Sequence, residues 1–256
     1  MKNIIADMRD MIRSSMIYAC MGISIFVMLL SIKEYILTGY AKDVNKSGMA
    51  LIIDMFASSG FTPFAAIVCI LPYSTVFCNE YKSGVTRYAI IRSGYNAYIC
   101  GKIVSVCLSG MLVMTVVLLV TSTMAFVSGS NAPDAQGVEI YMDSPLWGEY
   151  IRTREFGVIA LIKTLFAALF GGVWSLCGLM FSAIFLDRFI GVVFPFAIYQ
   201  ALWGILEGSA FNPVYLLRGD AVEIISVGFV VSLQSCNIAV TALTCYVIMR
   251  WRCRNV

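Results

Sequence analysis

A compact polar insert, Phe77 to Lys102, separates two apolar runs of the chain. Its residue types serve recognition rather than bond-making. Arginine presents a planar fork for carboxylates, and tyrosine offers flat apolar area with a hydroxyl at its edge. Glu80, Tyr81 and Lys82 open the segment. Val85, Tyr88 and Ala89 recur at helical spacing with Arg87 and Arg92 beside them, and Ser93-Gly94 predicts the helix end. Tyr95, Tyr98 and Lys102 then lead into the next apolar run. A short helix bearing aromatics and arginines suits a groove on a soluble partner. The same spacing also fits a solvated loop anchored at a membrane surface by its tyrosines, and periodicity leaves both open.

Catalytic chemistry finds little support. The chain has no histidine, so paired-histidine zinc sites and serine–histidine dyads are excluded. Its nine cysteines show no C-x-x-C spacing and mostly lie inside apolar runs, where a thiol behaves as a small hydrophobe. A phosphate-cradling loop requires G-x-x-x-x-G-K-[ST]. Here Gly101-Lys102 is followed by Ile103, and position 96 is Asn96. Leu108-Ser109-Gly110 faintly echoes a cassette signature but sits within a span. The acids Asp54, Glu80, Asp187, Glu207 and Glu223 fall at span ends, so no facing pair of membrane-depth carboxylates is expected. The expectation is a non-enzymatic chain with no catalytic residue, metal or cofactor of its own and no nucleic-acid partner.

The surrounding elements explain this poverty. Of 256 residues, 60% are hydrophobic and 13% charged, against roughly 25% charged in soluble domains. Mean hydropathy is +0.85. The fold class expected is all-α integral membrane, a single transmembrane domain over 1–256. Six spans are expected at about 16–37, 60–77, 103–127, 157–186, 189–206 and 224–249, each near the roughly 20 residues that cross ~30 Å of hydrocarbon. Pro63 and Pro72 should break the second span, and Pro195 lies within the fifth. Residues 1–15 read as an amphipathic interfacial helix. Ile4, Ile5, Met8, Met11 and Ile12 share one side; Lys2, Asn3, Asp7, Arg9, Asp10 and Arg13 take the other. The first apolar run is too long for a signal-peptide core, and no small-residue cleavage site follows.

Charge gives orientation. With the N-terminus inside, the inner segments hold Lys2, Arg9, Arg13, Lys82, Arg87, Arg92, Lys102, Arg188, Arg250, Arg252 and Arg254, most of the 18 basic residues. They hold only four acids, Asp7, Asp10, Glu80 and Asp187. The positive-inside rule therefore places both termini in the cytosol. On the other side, 38–59 reads as a short polar loop. Tyr141, Trp147 and Tyr150 in 128–156 read as interfacial anchors, and 207–223 as a re-entrant segment. Lys163, early in the fourth span, is expected to snorkel outward. Gly171, Gly172, Ser175 and Gly178 allow close helix packing. Phe26, Tyr199, Gln200 and Trp203 are candidates for a translocation route, although lipid-facing or internal packing accounts equally well for any one of them.

Phe77, Glu80, Gly84, Arg92, Tyr98 and Lys102 together resemble the pattern that follows the second span in type-2 ATP-binding-cassette (ABC) exporter permeases. The elbow helix, the six spans and Asn212-Pro213 before the last span extend the likeness over the chain. The resemblance implies a bacterial plasma-membrane protein that pairs with a second permease chain and with cytosolic ATPase subunits, which carry the ATP and Mg. It implies that Glu80–Arg92 (Glu80, Tyr81, Lys82, Arg87, Tyr88 and Arg92 among them) is the coupling helix seated on the ATPase, and that the first and fifth spans face the dimer axis. Export of a peptide, antibiotic or lipid-like substrate follows by the same likeness. The alternatives left open are an ATPase-independent channel and a gradient-driven carrier.

Overall fold

A computed structural model describes residues 2–37, 47–128, 139–220 and 226–254, and within them the chain is all-helical. Helix α1 (Lys2–Arg13) ends at Ser14, and the chain turns by 54° into α2 (Ser15–Leu37). Next come α3 (Gly48–Ser58), a 3₁₀ turn (Thr62–Phe64), α4 (Ala65–Ile70), α5 (Val76–Lys82) and α6 (Val85–Ser93). The long α7 (Tyr95–Ser128) follows, then short helices α8 (Glu139–Met142) and α9 (Gly148–Arg152). The series ends with α10 (Phe156–Phe185), α11 (Arg188–Ile205), α12 (Pro213–Arg218) and α13 (Val227–Arg254). Four helices, α7, α10, α11 and α13, are long and apolar enough to cross a membrane, and up to six spans result if each of two bent helix pairs counts as one. The protein is membrane-embedded.

The segment expected as a polar loop, 38–59, differs from that reading over its second half. Positions 48–58 form α3, whose Leu51, Ile52, Ile53, Met55 and Phe56 are buried. Eleven residues with an acid in the middle fall short of a span. Their burial comes from packing on α7, α10 and α12. Together with the 3₁₀ turn and α4, α3 makes a helix pair bent by 54°. Ser47 caps α3 by accepting from Met49 N–H at 3.2 Å.

Breaks in an apolar helix leave carbonyls without intrahelical donors, and lipid offers none. Side chains from neighbouring elements supply them. Thr62 Oγ1 donates to Phe56 O at 2.6 Å, Tyr199 Oη to Thr62 O at 2.7 Å and Gln200 Nε2 to Pro63 O at 2.8 Å. Ser182 Oγ reaches Ser74 O at 3.0 Å across the second break. The polar residues of α11 are thus the completion of a broken neighbour.

Helices α7 and α10 form the spine. At 1.5 Å per residue the 34 residues of α7 reach about 51 Å, well beyond the hydrocarbon core. The helix therefore carries Tyr95, Tyr98 and Lys102 on a continuous rigid extension. Gly110 and Gly171 meet backbone to backbone, and a methyl on either would overlap the other's carbonyl. Gly178 receives Ile70 and Ser74, and Gly172 receives Met111 and Cys107. The small-residue stripe of α10 is therefore internal packing. Helices α2 and α1 lie on α7, α11 and α13 lie on α10, and α13 also touches α7. Between α10 and α11 the chain turns through Leu186 (φ 53°), and Asp187 accepts from Phe189 N–H at 2.8 Å and Ile190 N–H at 3.0 Å. Those amides, Ile190's first, hold the Asp187 carboxyl below its usual range.

Substituting Gly110→Ala or Gly171→Ala should lower stability by about 1–3 kcal/mol, the cost of overpacking a tight contact. Gly22→Ala, which meets open space within α2, should be neutral or slightly stabilising. Thermal unfolding of the detergent-solubilised protein reads the difference. The Asp187 cap has a depressed folded-state pKa, so its contribution is complete above the ordinary carboxylate value of about 4 and is lost only as pH falls through the lower folded value. Asp187→Asn should flatten that acid limb of the stability profile.

Candidate functional site

The insert's residues converge on a buried charged knot where α1, α5, α6 and α7 meet. Lys102 is 2% exposed. Its ammonium donates to Glu80 Oε1 at 2.5 Å and to Asp7 Oδ1 at 2.7 Å. Tyr98, one helical turn before Lys102, donates to Glu80 Oε2 at 2.7 Å. Thr86 Oγ1 lies 3.3 Å from the same phenol oxygen. The rings of Tyr98 and Tyr73 stand 5.7 and 6.0 Å from Lys102 Nζ, close enough to favour the cation. Three helices thereby hold one ammonium ion, while Thr86 ties α6 to the same hydrogen-bond chain. A cavity of about 200 Å³ lies alongside, bounded by Ala6, Val85, Ala89 and Arg92 as well as the knot.

Local sequence explains how α6 reaches this position. Gly84 (φ 76°) begins it and Gly94 (φ 79°) ends it, both in backbone conformations that strain a side chain. The nine-residue helix between them turns Thr86 and Ile90 inward. Its other face is exposed. Tyr88 is 77% and Ile91 84% accessible, with Arg87 and Arg92 flanking them. Of the residues selected from sequence, Glu80 joins the knot and Tyr81 packs on Phe77 with ring centroids 5.8 Å apart. Lys82, Arg87, Tyr88 and Arg92 project outward.

Two partners in the knot had no prior signal as such. Helical periodicity places Asp7 on the polar side of an interfacial helix, yet its side chain is only 15% exposed and grips Lys102. The two residues are 95 positions apart, so no local pattern links them. Thr86 looks like an ordinary helix-surface threonine until α7 brings Tyr98 to it. The Tyr98–Lys102 spacing of four was the legible clue.

The four route candidates do not gather at one place. Tyr199 is fully buried in an aromatic stack, edge-on to Trp174 at 5.1 Å and Phe170 at 5.8 Å. Gln200 and Trp203 are half-buried on the same helix. Phe26, 62% exposed, sits on α2, which packs on α7 and α3 rather than on α11.

A second cluster occupies the opposite end, around α3, α9, α10 and α12. Lys163 is fully buried rather than extended toward the surface. It donates to Ile53 O at 2.8 Å and to Arg218 O, with the Phe56 and Trp147 rings each 5.7 Å from its nitrogen. Trp147, expected as an interfacial anchor, is also fully buried and donates to Gly219 O. Arg218 pairs with Asp220 at 2.6 Å. Tyr141 donates to Asp54, and burial first, then that carboxylate, pushes its phenol pKa up. A carbonyl oxygen within α3 and another at the end of α12 give Lys163 a satisfied site, so it has no need to reach water. This cluster is a clamp between elements. Among the described residues no group of histidine, cysteine or carboxylate side chains is arranged to hold a metal.

Lys102→Met leaves Glu80 and Asp7 facing each other without their cation. It should cost about 1.5–3 kcal/mol, the scale of hydrogen bonds to charged groups, with the 3–5 kcal/mol of a fully buried pair as the ceiling. Adding Glu80→Gln and Asp7→Asn to Lys102→Met should restore part of that loss in thermal unfolding. An equal or greater loss in the triple variant would show that the three side chains are not energetically coupled. No family model, no curated protein and no solved structure matches this chain.

Proposed function

We propose that this chain is the membrane-spanning permease subunit of an ATP-driven ABC exporter. The observation that carries the proposal is the two-faced α6. Its outer face presents Arg87, Tyr88, Ile91 and Arg92 to solvent, while its inner face is joined through Thr86 and the knot to α1, α5 and α7. A partner pressing on such a helix moves the ends of several membrane helices together. Aromatic and arginine side chains are the usual anchors of protein interfaces.

The supporting features are distributed along the chain. Counting each bent pair as one span gives six. Lys82, Arg87, Arg92, Arg188, Arg250, Arg252 and Arg254 lie on the segments that favour the cytosol by the positive-inside rule, with both termini on that side. The chain carries no phosphate-cradling motif, so a separate ATPase subunit binds ATP and Mg and supplies the energy. The apolar outer faces of α2 (Ile23, Phe26) and α11 (Phe189, Val193) are available to a second permease chain or to lipid. The substrate class is a peptide, antibiotic or lipid-like molecule, and the setting a bacterial plasma membrane.

Co-expression with a cassette ATPase tests the proposal. Arg87→Ala/Tyr88→Ala/Arg92→Ala should abolish ATPase co-purification, or uncouple hydrolysis from transport, while leaving the thermal stability of the permease within about 0.5 kcal/mol, as for surface changes elsewhere. Full assembly and transport in that variant would remove α6 from its role. Arg87→Cys should react with a membrane-impermeant thiol reagent only from the cytosolic side. Reaction from outside would invert the topology and overturn the proposal.

A further inference from the structure

A cavity of about 620 Å³ lies between the start of α7 and the end of α13. Arg250 and Arg254, one helical turn apart, form one wall, and Tyr95, Asn96 and Ala97 form the other. Arg252, between the two arginines, is turned away and donates to Ile184 O. Tyr246 joins the two walls. Its hydroxyl donates to Asn96 Oδ1 at 2.9 Å and accepts from Arg250 Nη1 at 3.4 Å. With Oδ1 occupied, Asn96 has its Nδ2 donor left to offer.

No carboxylate lines the cavity, and among the described residues neither arginine forms an ion pair. Like charges one turn apart on a helix repel, and an anion between them offsets that cost. The two guanidiniums and Asn96 Nδ2 are all donors, a set that fits phosphate oxygens. Depth selects the source of the phosphate. Val227 to Met249 spans about 33 Å at 1.5 Å per residue, close to the ~30 Å hydrocarbon core. Arg250 and Arg254 then stand about 1.5 and about 7.5 Å beyond its edge, across a headgroup layer roughly 5–7 Å deep. Trp251, 58% exposed, stands at the same level, as interfacial tryptophans do. Val247, Leu243 and Val240 continue from Arg250 along one face of α13 at steps of three and four residues, and all three are exposed. The stripe is apolar through the core and cationic at its end, which matches a phospholipid rather than a soluble anion.

We infer that the cleft between the start of α7 and the end of α13 binds the headgroup phosphate of an anionic phospholipid, whose acyl chains lie along Val247, Leu243 and Val240. Basic pockets between membrane helices hold such headgroups. Arg250 and Arg254 take the phosphate oxygens, Asn96 Nδ2 adds a donor, and Tyr246 holds Arg250 and Asn96 in place. A headgroup that carries its own cation is disfavoured, because the lining has no carboxylate to receive it. The site requires only that the chain is embedded in a bilayer, so it stands or falls separately from any ATPase partner.

Native mass spectrometry of the detergent-solubilised full chain tests the site, with phosphatidylglycerol or phosphatidylcholine of the same acyl chains as the titrant. The wild type should bind one phosphatidylglycerol about tenfold more tightly than phosphatidylcholine, the scale of one charged hydrogen bond. Arg250→Gln/Arg254→Gln should remove that preference and leave phosphatidylcholine binding unchanged. Arg9→Gln/Arg13→Gln, which removes the same charge from exposed positions on α1, should keep it. Equal binding of the two lipids by the wild type, or a preference that survives Arg250→Gln/Arg254→Gln, overturns the site. A preference lost equally in Arg9→Gln/Arg13→Gln is a response to net charge and overturns it too. Displacement of phosphatidylglycerol by millimolar inorganic phosphate or glycerol 3-phosphate makes a soluble anion the occupant and overturns the lipid. Thermal unfolding shows whether each variant is folded. Arg254→Gln alone, at an exposed helix end, serves if the double variant is not, and should cut the preference several-fold; an unchanged preference there overturns the site.

Discussion

An ammonium ion withdrawn from water must be matched by acceptors, and the position of those acceptors then constrains every element that carries one. Lys102 meets this demand with Glu80 and Asp7, and Tyr98 and Thr86 complete the carboxylate side. The elbow helix, the end of the broken second span, the short α6 and the start of α7 are consequently fixed to one another at a single point. The knot has two carboxylates for one ammonium, so its stability depends on the tyrosine and threonine donors as well as on the ion pairs.

The same demand, applied to backbone carbonyls, shapes the interior. The second apolar run is interrupted at 59–61 and again near Pro72, and each interruption frees carbonyl oxygens in an environment without water. Tyr199, Gln200, Thr62 and Ser182 are placed to satisfy them. At the far end Lys163 donates to the Arg218 carbonyl at the end of α12 and to the Ile53 carbonyl within α3. Polar residues inside this bundle are therefore mostly structural, and their presence on a span does not by itself indicate a wet path.

Rigidity between the two ends comes from the spine. Gly110 and Gly171 bring α7 and α10 to backbone contact, and helices held so closely move as a unit. In the proposed coupling, a displacement imposed at α6 would pass to α7 through the knot and from α7 to α10 through the glycine contact. It would then reach the Lys163 clamp, which rests on α10. This continuous path gives the coupling proposal its physical content.

The sequence alone determined what depends on local composition and spacing. Long apolar runs require helices in lipid, because only a helix satisfies its own backbone there, and α7, α10, α11 and α13 were legible on that ground. The α6 helix and its stop at Gly94 were legible too, since a positive φ after a short amphipathic stretch is a local property. What only the tertiary structure decided were the pairings between distant segments. That Asp7 turns from solvent to Lys102, that Lys163 and Trp147 are buried rather than interfacial, and that 48–58 is a buried helix all depend on which surfaces other helices cover. Burial and hydrogen-bond partnership are properties of the assembled bundle, and residues 95 positions apart carry no local mark of the charge they share.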